Sequence, residues 1–336
     1  MVLAAAVLLR TDVQAAPPAD PGRSEHERIV RYWTPDRAAE PRPRDFDRPL
    51  ALQAKPGGGG GGGSTTAVKG ATWTGGGLVK LTTGRVLFTL SGVDYVCCGS
   101  VVSDGSTAGA TSLILTAGHC VYDDAADTFA TNWMFVPDYG TARTFNCDAA
   151  SFGCWMAQSL VTTSAWQNGD FNEDYAFAVV GPGGKTGQSN QLDATVGAQD
   201  ISFLLSHPRE VFAFGYPVAK KYTGQTLICC SGTTVADTFG GSMDYGLACD
   251  MTGGSSGGPW LANFDRATGR GTLTSVNSFK YYALSQYMFG PYFDAYGQKT
   301  YDAARAATGK RWSLCSHRRT RQREAPGYPG ASSLSG

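Results

Sequence analysis

Cys249-Asp250-Met251-Thr252-Gly253-Gly254-Ser255-Ser256-Gly257-Gly258-Pro259-Trp260 is a glycine-dense turn, and the apolar Pro259-Trp260-Leu261 that follows argues against a flexible linker. Two upstream segments complete it: Leu115-Thr116-Ala117-Gly118-His119-Cys120 and Asp174-Tyr175-Ala176-Phe177-Ala178-Val179-Val180. Together they supply a histidine, a carboxylate and a serine, in that chain order. A serine hydroxyl is a weak nucleophile and needs a base within reach, itself oriented by a third group.

The residues around each group narrow the choice. Only His119 and His207 lie in the central part of the chain, since His26 and His317 fall in the tails. His119 follows a strand-like run ending in Thr-Ala-Gly and precedes a cysteine able to fix its loop, whereas His207, before Pro208, reads as a satisfied residue without chemistry. Asp174 opens an apolar stretch, and a carboxylate at the mouth of a buried strand is costly unless paired. Asp170 and Glu173 better fit water-facing charges. Gly254 allows a bend that points the N–H groups of Gly254 and Ser256 at one spot, the pattern of an oxyanion hole. The run also matches Gly-x-Ser-x-Gly, but in an α/β-hydrolase the histidine follows the serine, and the only later one is His317.

The remaining sequence is consistent with a strand-rich body between two tails. Runs such as Val86-Leu87-Phe88-Thr89-Leu90, Leu113-Ile114-Leu115-Thr116, Val211-Phe212-Ala213-Phe214 and Leu273-Thr274-Ser275-Val276 are separated by Gly-containing breaks, which indicates an all-β barrel or sandwich. Lys299 to Gly309 reads as one Ala-rich helix, with Thr300 able to cap its start and Gly309 its end. Residues 1–15 read as the remnant of a signal peptide ending at Val13-Gln14-Ala15, and the missing positive start points to a translation start upstream. Residues 16–56 read as a poorly ordered pro-segment and Gly57–Gly63 as a flexible linker, with structure beginning near Val68. Residues 313–336 read as a disordered basic tail.

The 28 cationic and 28 acidic residues balance formally, but residues 65–308 hold thirteen against nineteen, so nothing suggests a nucleic-acid surface. Beyond the first residues no run approaches a membrane span. Nine cysteines without two Cys-x-x-Cys pairs fit a disulfide framework in an oxidising compartment better than a zinc site. A secreted, monomeric protein without metal or cofactor is expected.

Residues 70–312 resemble the trypsin-like, chymotrypsin-fold serine peptidases, especially the bacterial V8-like and actinobacterial branch. The likeness rests on Cys97-Cys98-Gly99-Ser100-Val101-Val102-Ser103, Leu115 to Val121, Asp174 to Val180, Phe214-Gly215-Tyr216-Pro217 and Cys249 to Leu261. The resemblance implies two six-stranded antiparallel β-barrels, over 68–185 and 186–298, followed by the helix 299–309. It implies a catalytic triad of His119, Asp174 and Ser256, an oxyanion hole at Gly254 and Ser256, and a peptide or protein substrate cut through an acyl-enzyme. An inactive binding homologue and an esterase on the same fold are the competing readings. The expected disulfides are Cys97–Cys120, Cys147–Cys154 and Cys230–Cys249, with Cys98, Cys229 and Cys315 left over. The expected substrate pocket is formed by Asp250, Met251, Thr274, Ser275 and Val276. Asp250 stands where a basic substrate side chain would meet it, although Thr252 replaces the usual pocket cysteine. Ser255 replaces the acidic residue that, in animal trypsins, receives a freshly cut N-terminus. Activation through such an ion pair is therefore not expected.

Overall fold

The computed structural model describes residues 24–44, 69–105, 111–140, 145–239 and 242–308, together with the backbone of Thr11–Ala15 and Asp47–Arg48. Six antiparallel strands form the first barrel: β1 (Thr83–Leu90), β2 (Val93–Val102), β3 (Ser112–Thr116), β4 (Thr131–Pro137), β5 (Trp155–Thr163) and β6 (Ala176–Val180). The order β5-β4-β1-β2-β3-β6 is closed by pairing of β6 with β5. Val86 and Phe88 of β1, with Trp133 and Phe135 of β4, point into the barrel, while the alternate residues Leu87, Met134 and Val136 point outward. Side chains of a strand alternate between faces, so an unbroken apolar run needs cover on both sides.

That outer cover comes from the N-terminal segment, which corrects the expectation of disorder for residues 24–44. Ser24 caps the helix Glu25–Tyr32 in a reciprocal capping box with Glu27. Ile29, Trp33 and Ala38 then pack on Leu87, Val96, Met134 and Val136. Full burial of a residue such as Ile29 stabilises by about 1.5–3 kcal/mol. Trp33 Nε1 donates to the Asn132 carbonyl at 2.7 Å, and Tyr32 and Arg37 both hold Asp94. A thin apolar stripe in a charged, Pro-rich stretch is diluted in composition, which is why the sequence reading missed it. The backbone of Thr11–Ala15, at the end of the expected signal remnant, pairs antiparallel with β5. Residues 1–10, the linker Gly57–Gly63 and the tail 313–336 with Cys315 lie outside the described residues.

The second half contains β7 (Glu210–Gly215), β8 (Ile228–Thr233), β9 (Tyr245–Ala248), β10 (Pro259–Asp265), β11 (Arg270–Val276) and β12 (Tyr287–Gly290). They divide between two sheets. One runs β11-β10-β7-β8, with Asp200–Ile201 parallel on one edge and Ala71–Thr72 on the other; the second joins Val235–Ala236, β9 and β12. Val211, Ala213, Ile228 and Trp260 of the first meet Leu247 and Met288 of the second in one core. Ala71–Thr72 thus belongs to this half, so the chain visits it before building the first barrel. The expected boundary of 68–185 is displaced accordingly.

Disulfides join Cys97 to Cys120, Cys147 to Cys154 and Cys230 to Cys249, while Cys98 and Cys229 are free thiols. On the chain-entropy model a loop the size of Cys97–Cys120 is worth roughly 3 kcal/mol. The C-terminal helix spans Ala295–Thr308, starting earlier than the expected Lys299. Its cap is Asp294, whose carboxylate accepts from the N–H groups of Tyr296 and Gly297. Thr300 is instead buried in the helix and donates to the Tyr296 carbonyl. Ala304 and Ala307 join the first-barrel core, and the Tyr301 ring lies 5.6 Å from that of Phe177.

Candidate active site

Strand register brings the histidine and the aspartate together. β3 and β6 pair antiparallel with Thr116 opposite Ala176, so the residues just after β3 lie beside those just before β6. His119 sits in a short turn, Gly118–Cys120, and Asp174 closes the turn Phe171–Glu173. Asp174 Oδ1 accepts from the His119 backbone N–H at 2.8 Å, and Oδ2 lies 2.8 Å from His119 Nδ1. Ser278 Oγ also donates to Oδ2. The sequence reading missed Ser278, because the residue-type pattern that would flag it, one hydroxyl after Asn277, carries almost no information by itself.

Ser256 arrives on a turn fixed by backbone bonds. The Cys98 N–H donates to the Ser256 carbonyl at 2.6 Å, and the Gly257 N–H to the Asn277 carbonyl at 2.8 Å. Asn277 Nδ2 bridges the carbonyls of Phe214 and Ser255. Gly254 has φ +85°, and a Cβ there would come within 2.9 Å of Val218 Cγ2. The Val218 N–H holds the Gly253 carbonyl at 2.7 Å, which orients the peptide carrying the Gly254 N–H. Gly257 has φ +77°, and a Cβ there would strike Thr116 Oγ1 and the Cys98 carbonyl of the first barrel. Only glycines let this turn press against the strand end that carries His119. Ser255 Oγ turns inward to the Thr252 carbonyl at 2.8 Å. Ser256 Oγ faces the other way, 3.4 Å from the Arg44 carbonyl oxygen.

Beside Ser256 lies a cavity of about 380 Å³. Asp250 and Met251 line it, together with Ser278, Phe279, Lys280 and Met288. Thr274, Ser275 and Val276 do not. They lie within β11, where Ser275 Oγ donates to the Pro291 carbonyl and Val276 is fully buried. The wall is the extended segment after that strand, so the expected positions fall a few residues short. Asp250 is already paired: Lys221 Nζ lies at 2.6 Å, Tyr222 OH at 2.5 Å and the Gly70 N–H at 2.8 Å. Burial opposes its charge, but Lys221, Tyr222 and Gly70 together outweigh that and hold its pKa below the usual carboxylate range. A substrate cation is therefore not needed to balance Asp250.

The other expectations divide. Glu173 is buried rather than water-facing, and its pKa is pushed up to about 8, chiefly by burial. His207 is stacked on the Tyr245 ring at 3.5 Å and bonded to Thr234, consistent with a satisfied residue. Cys97, His119 and Cys120 crowd together, but the two sulfurs are joined to each other and offer no thiolate to a metal.

Among solved structures, a thermostable serine protease, AL20, from an extremophilic microorganism is 37% identical, with a TM-score of 0.59, over 68% of this chain and 99% of its own. Protease Anisep from Arthrobacter nicotinovorans is 36% identical, with a TM-score of 0.58, over 67% of this chain and 96% of its own. The chain belongs to the chymotrypsin-fold serine proteases. As such it is a serine-type endopeptidase. No protein-family model and no curated protein matches it. In this protease His119 and Asp174 lie on the first barrel, and Ser256 and the cavity beside it on the second half. An edge-to-face series of rings, Trp166 on Phe171 at 5.4 Å and Phe171 on Phe279 at 5.3 Å, links the two sides.

Proposed function

We propose that the protein is a secreted endopeptidase in which His119, Asp174 and Ser256 act as a triad. Ser256 Oγ attacks the carbonyl carbon of a peptide bond and passes its proton to His119 Nε2. The carbonyl oxygen, now negative, is held by the N–H groups of Gly254 and Ser256. The tetrahedral species expels the amine, which takes the proton from His119 and leaves an acyl-enzyme. Water, deprotonated by His119, then releases the acid and regenerates Ser256. Asp174 fixes the imidazole with its Nδ1 side toward the carboxylate, so that Nε2 is the end that exchanges the proton.

The observation that carries this reading is the clamp on Asp174 by the His119 ring, the His119 backbone and Ser278, at the strand end against which the Ser256 turn packs. The three disulfides support an oxidising, extracellular setting, and among the described residues no helix is long and apolar enough to cross a membrane. The body from about residue 68 to 312 is then the peptidase domain, residues 16–67 a pro-segment and linker, and residues 1–15 the remnant of a signal peptide.

The test is labelling with a fluorophosphonate probe, followed by peptide mapping, on enzyme freed of its N-terminal segment. The label is expected on Ser256, and Ser256→Ala is expected to lower kcat by roughly 10⁶. A Ser256→Ala enzyme that keeps most of its peptidase activity would overturn the assignment.

A further inference from the structure

We propose that residues 24–44, together with the strand Asp47–Arg48, are an inhibitor supplied by the chain itself, placed beside the pocket in a pose that blocks Ser256 without presenting a bond to be cut. The inference rests on the reading of Ser256 as the nucleophile and goes beyond it.

The segment is anchored on the first barrel by Ile29, Trp33 and Ala38 and by the bonds of Tyr32 and Arg37 to Asp94. It then crosses from one half of the molecule to the other. Arg42–Pro43 pairs in parallel with Tyr95 and Val96 of β2, and Asp47–Arg48 pairs in parallel with Lys280–Tyr281 on the pocket wall. Arg44 lies between these two pairings. Its guanidinium reaches Asp123, four residues beyond His119, at 3.4 Å, and lies over the Tyr95 ring at 5.5 Å. Both side chains of this ion pair are mostly buried, at 10% and 17% exposure. A peptide added to a sheet edge is held by its main chain, so Asp47–Arg48 occupies an edge beside the pocket that any extended substrate could use.

The contact at the nucleophile explains why the segment blocks rather than reacts. The Ser256 hydroxyl donates to the carbonyl oxygen of Arg44 at 3.4 Å. Attack needs the carbonyl carbon in front of Oγ and the oxygen turned away toward the Gly254 and Ser256 N–H groups. Here the oxygen is the atom presented to Oγ. The triad is also closed to other peptides. His119 and Asp174 are 0% exposed and Ser256 is 5% exposed. A general base and a nucleophile that a substrate must touch are inaccessible in this form.

The sequence after the segment contains the unbroken run Gly57–Gly63. A segment covalently joined to the body it blocks stays near its site at an effective concentration of about millimolar order. Cutting the tether makes the block bimolecular and reversible by dilution.

The experiment places a recognition sequence for an added, specific protease within Gly57–Gly63 of the full chain. The chain folds intact, is cut, and the N-terminal piece is removed by dilution and gel filtration. Fluorophosphonate labelling is expected to be at least about 100-fold faster after removal than in the intact chain, and equal rates would overturn the proposal. A synthetic peptide of residues 24–48 is expected to restore slow labelling and to be recovered uncut after prolonged incubation. Its Trp33→Ala form should need at least about tenfold more peptide. Efficient cleavage at Arg44, or inhibition indifferent to Trp33, would overturn the pose. Binding of the same peptide to the freed Ser256→Ala chain is measured by calorimetry. Binding there with no labelling in any form would mean that the nucleophile assignment fails while the docking stands. No binding overturns the proposal whatever the labelling shows.

Discussion

His119 and Asp174 reach the cleft on paired strands, whereas Ser256 reaches it on a turn between strands, and the two sides are held by different forces. On the first side the register of β3 against β6 sets the backbone, and hydrogen bonds to one carboxylate set the ring. On the second side the Ser256 side chain contributes little to its own placement. Backbone bonds to Cys98 and Asn277 and the left-handed conformations of Gly254 and Gly257 hold the turn. A change of charge should therefore damage the first side, and a change of backbone freedom the second.

The largest effect expected from this contrast is at Asp174. Asp174→Asn keeps the size of the side chain but offers an amide where the ring and Ser278 now donate to carboxylate oxygens. The imidazole loses its orientation and the preferred position of its proton. In freed enzyme kcat should fall by roughly 10⁴, with KM changed far less. Steady-state kinetics on a peptide substrate reads this directly. A loss below tenfold would mean that the strand register alone positions His119, and the contrast between the two sides would fail.

The matching change on the other side is Gly254→Ala. The new Cβ meets Val218 at 2.9 Å in a backbone conformation, φ +85°, that costs a non-glycine residue about 1–3 kcal/mol. Relief of that strain would turn the Gly254 N–H away from the oxyanion. Loss of one such donor typically costs about 10²–10³ in kcat. The fold should survive, because Gly254 lies in a turn outside the two sheets. Near-normal kcat in Gly254→Ala would show that the turn tolerates a side chain and that its glycines are not what place the donors.

The same contrast explains what could be read from the sequence. The His119 and Asp174 segments carry their information locally, as strand runs ending in a polar residue, and the glycines around Ser256 announce a turn that needs positive φ. Ser278 and the pocket wall from Phe279 to Tyr281 were not legible. They depend on where β11 ends, and strand ends are set by tertiary contacts such as the Gly257 N–H on the Asn277 carbonyl. Asp250 was legible as a pocket residue, but its pairing with Lys221 was not, since the two meet only after folding. The N-terminal segment was the largest loss. Ile29, Trp33 and Ala38 are few, and their value lies in the outward-facing Leu87, Met134 and Val136 they cover. The apolar run Val86-Leu87-Phe88 within β1 needs cover on both faces, and that need was the signal for such a stripe.

The smallest expected effect sharpens the comparison within one turn. Glu173 and Asp174 are adjacent and both buried. Asp174 accepts from two groups of His119 and from Ser278, whereas Glu173 accepts from the Tyr175 hydroxyl and faces Asp294 and Asp170. Burial, reinforced by those two acids, pushes the Glu173 pKa up to about 8, above its ordinary value of 4.5. The folded chain thus keeps a proton that the unfolded chain gives up in the interval between those two values. The stabilisation is complete below the unfolded value and is lost as pH rises through the folded one. Glu173→Gln carries no charge at any pH, so its stability should not fall with pH on this account. The variant should match the parent near pH 5 and exceed it near pH 9 by on the order of 1 kcal/mol or more, a Tm difference of about 2–4 °C for a domain of this size. Thermal melts of freed Ser256→Ala enzyme, used to prevent self-digestion, give both curves. Parallel curves from pH 5 to 9 would show that Glu173 ionises in place. The difference between the environments of the turn's two carboxylates would then disappear.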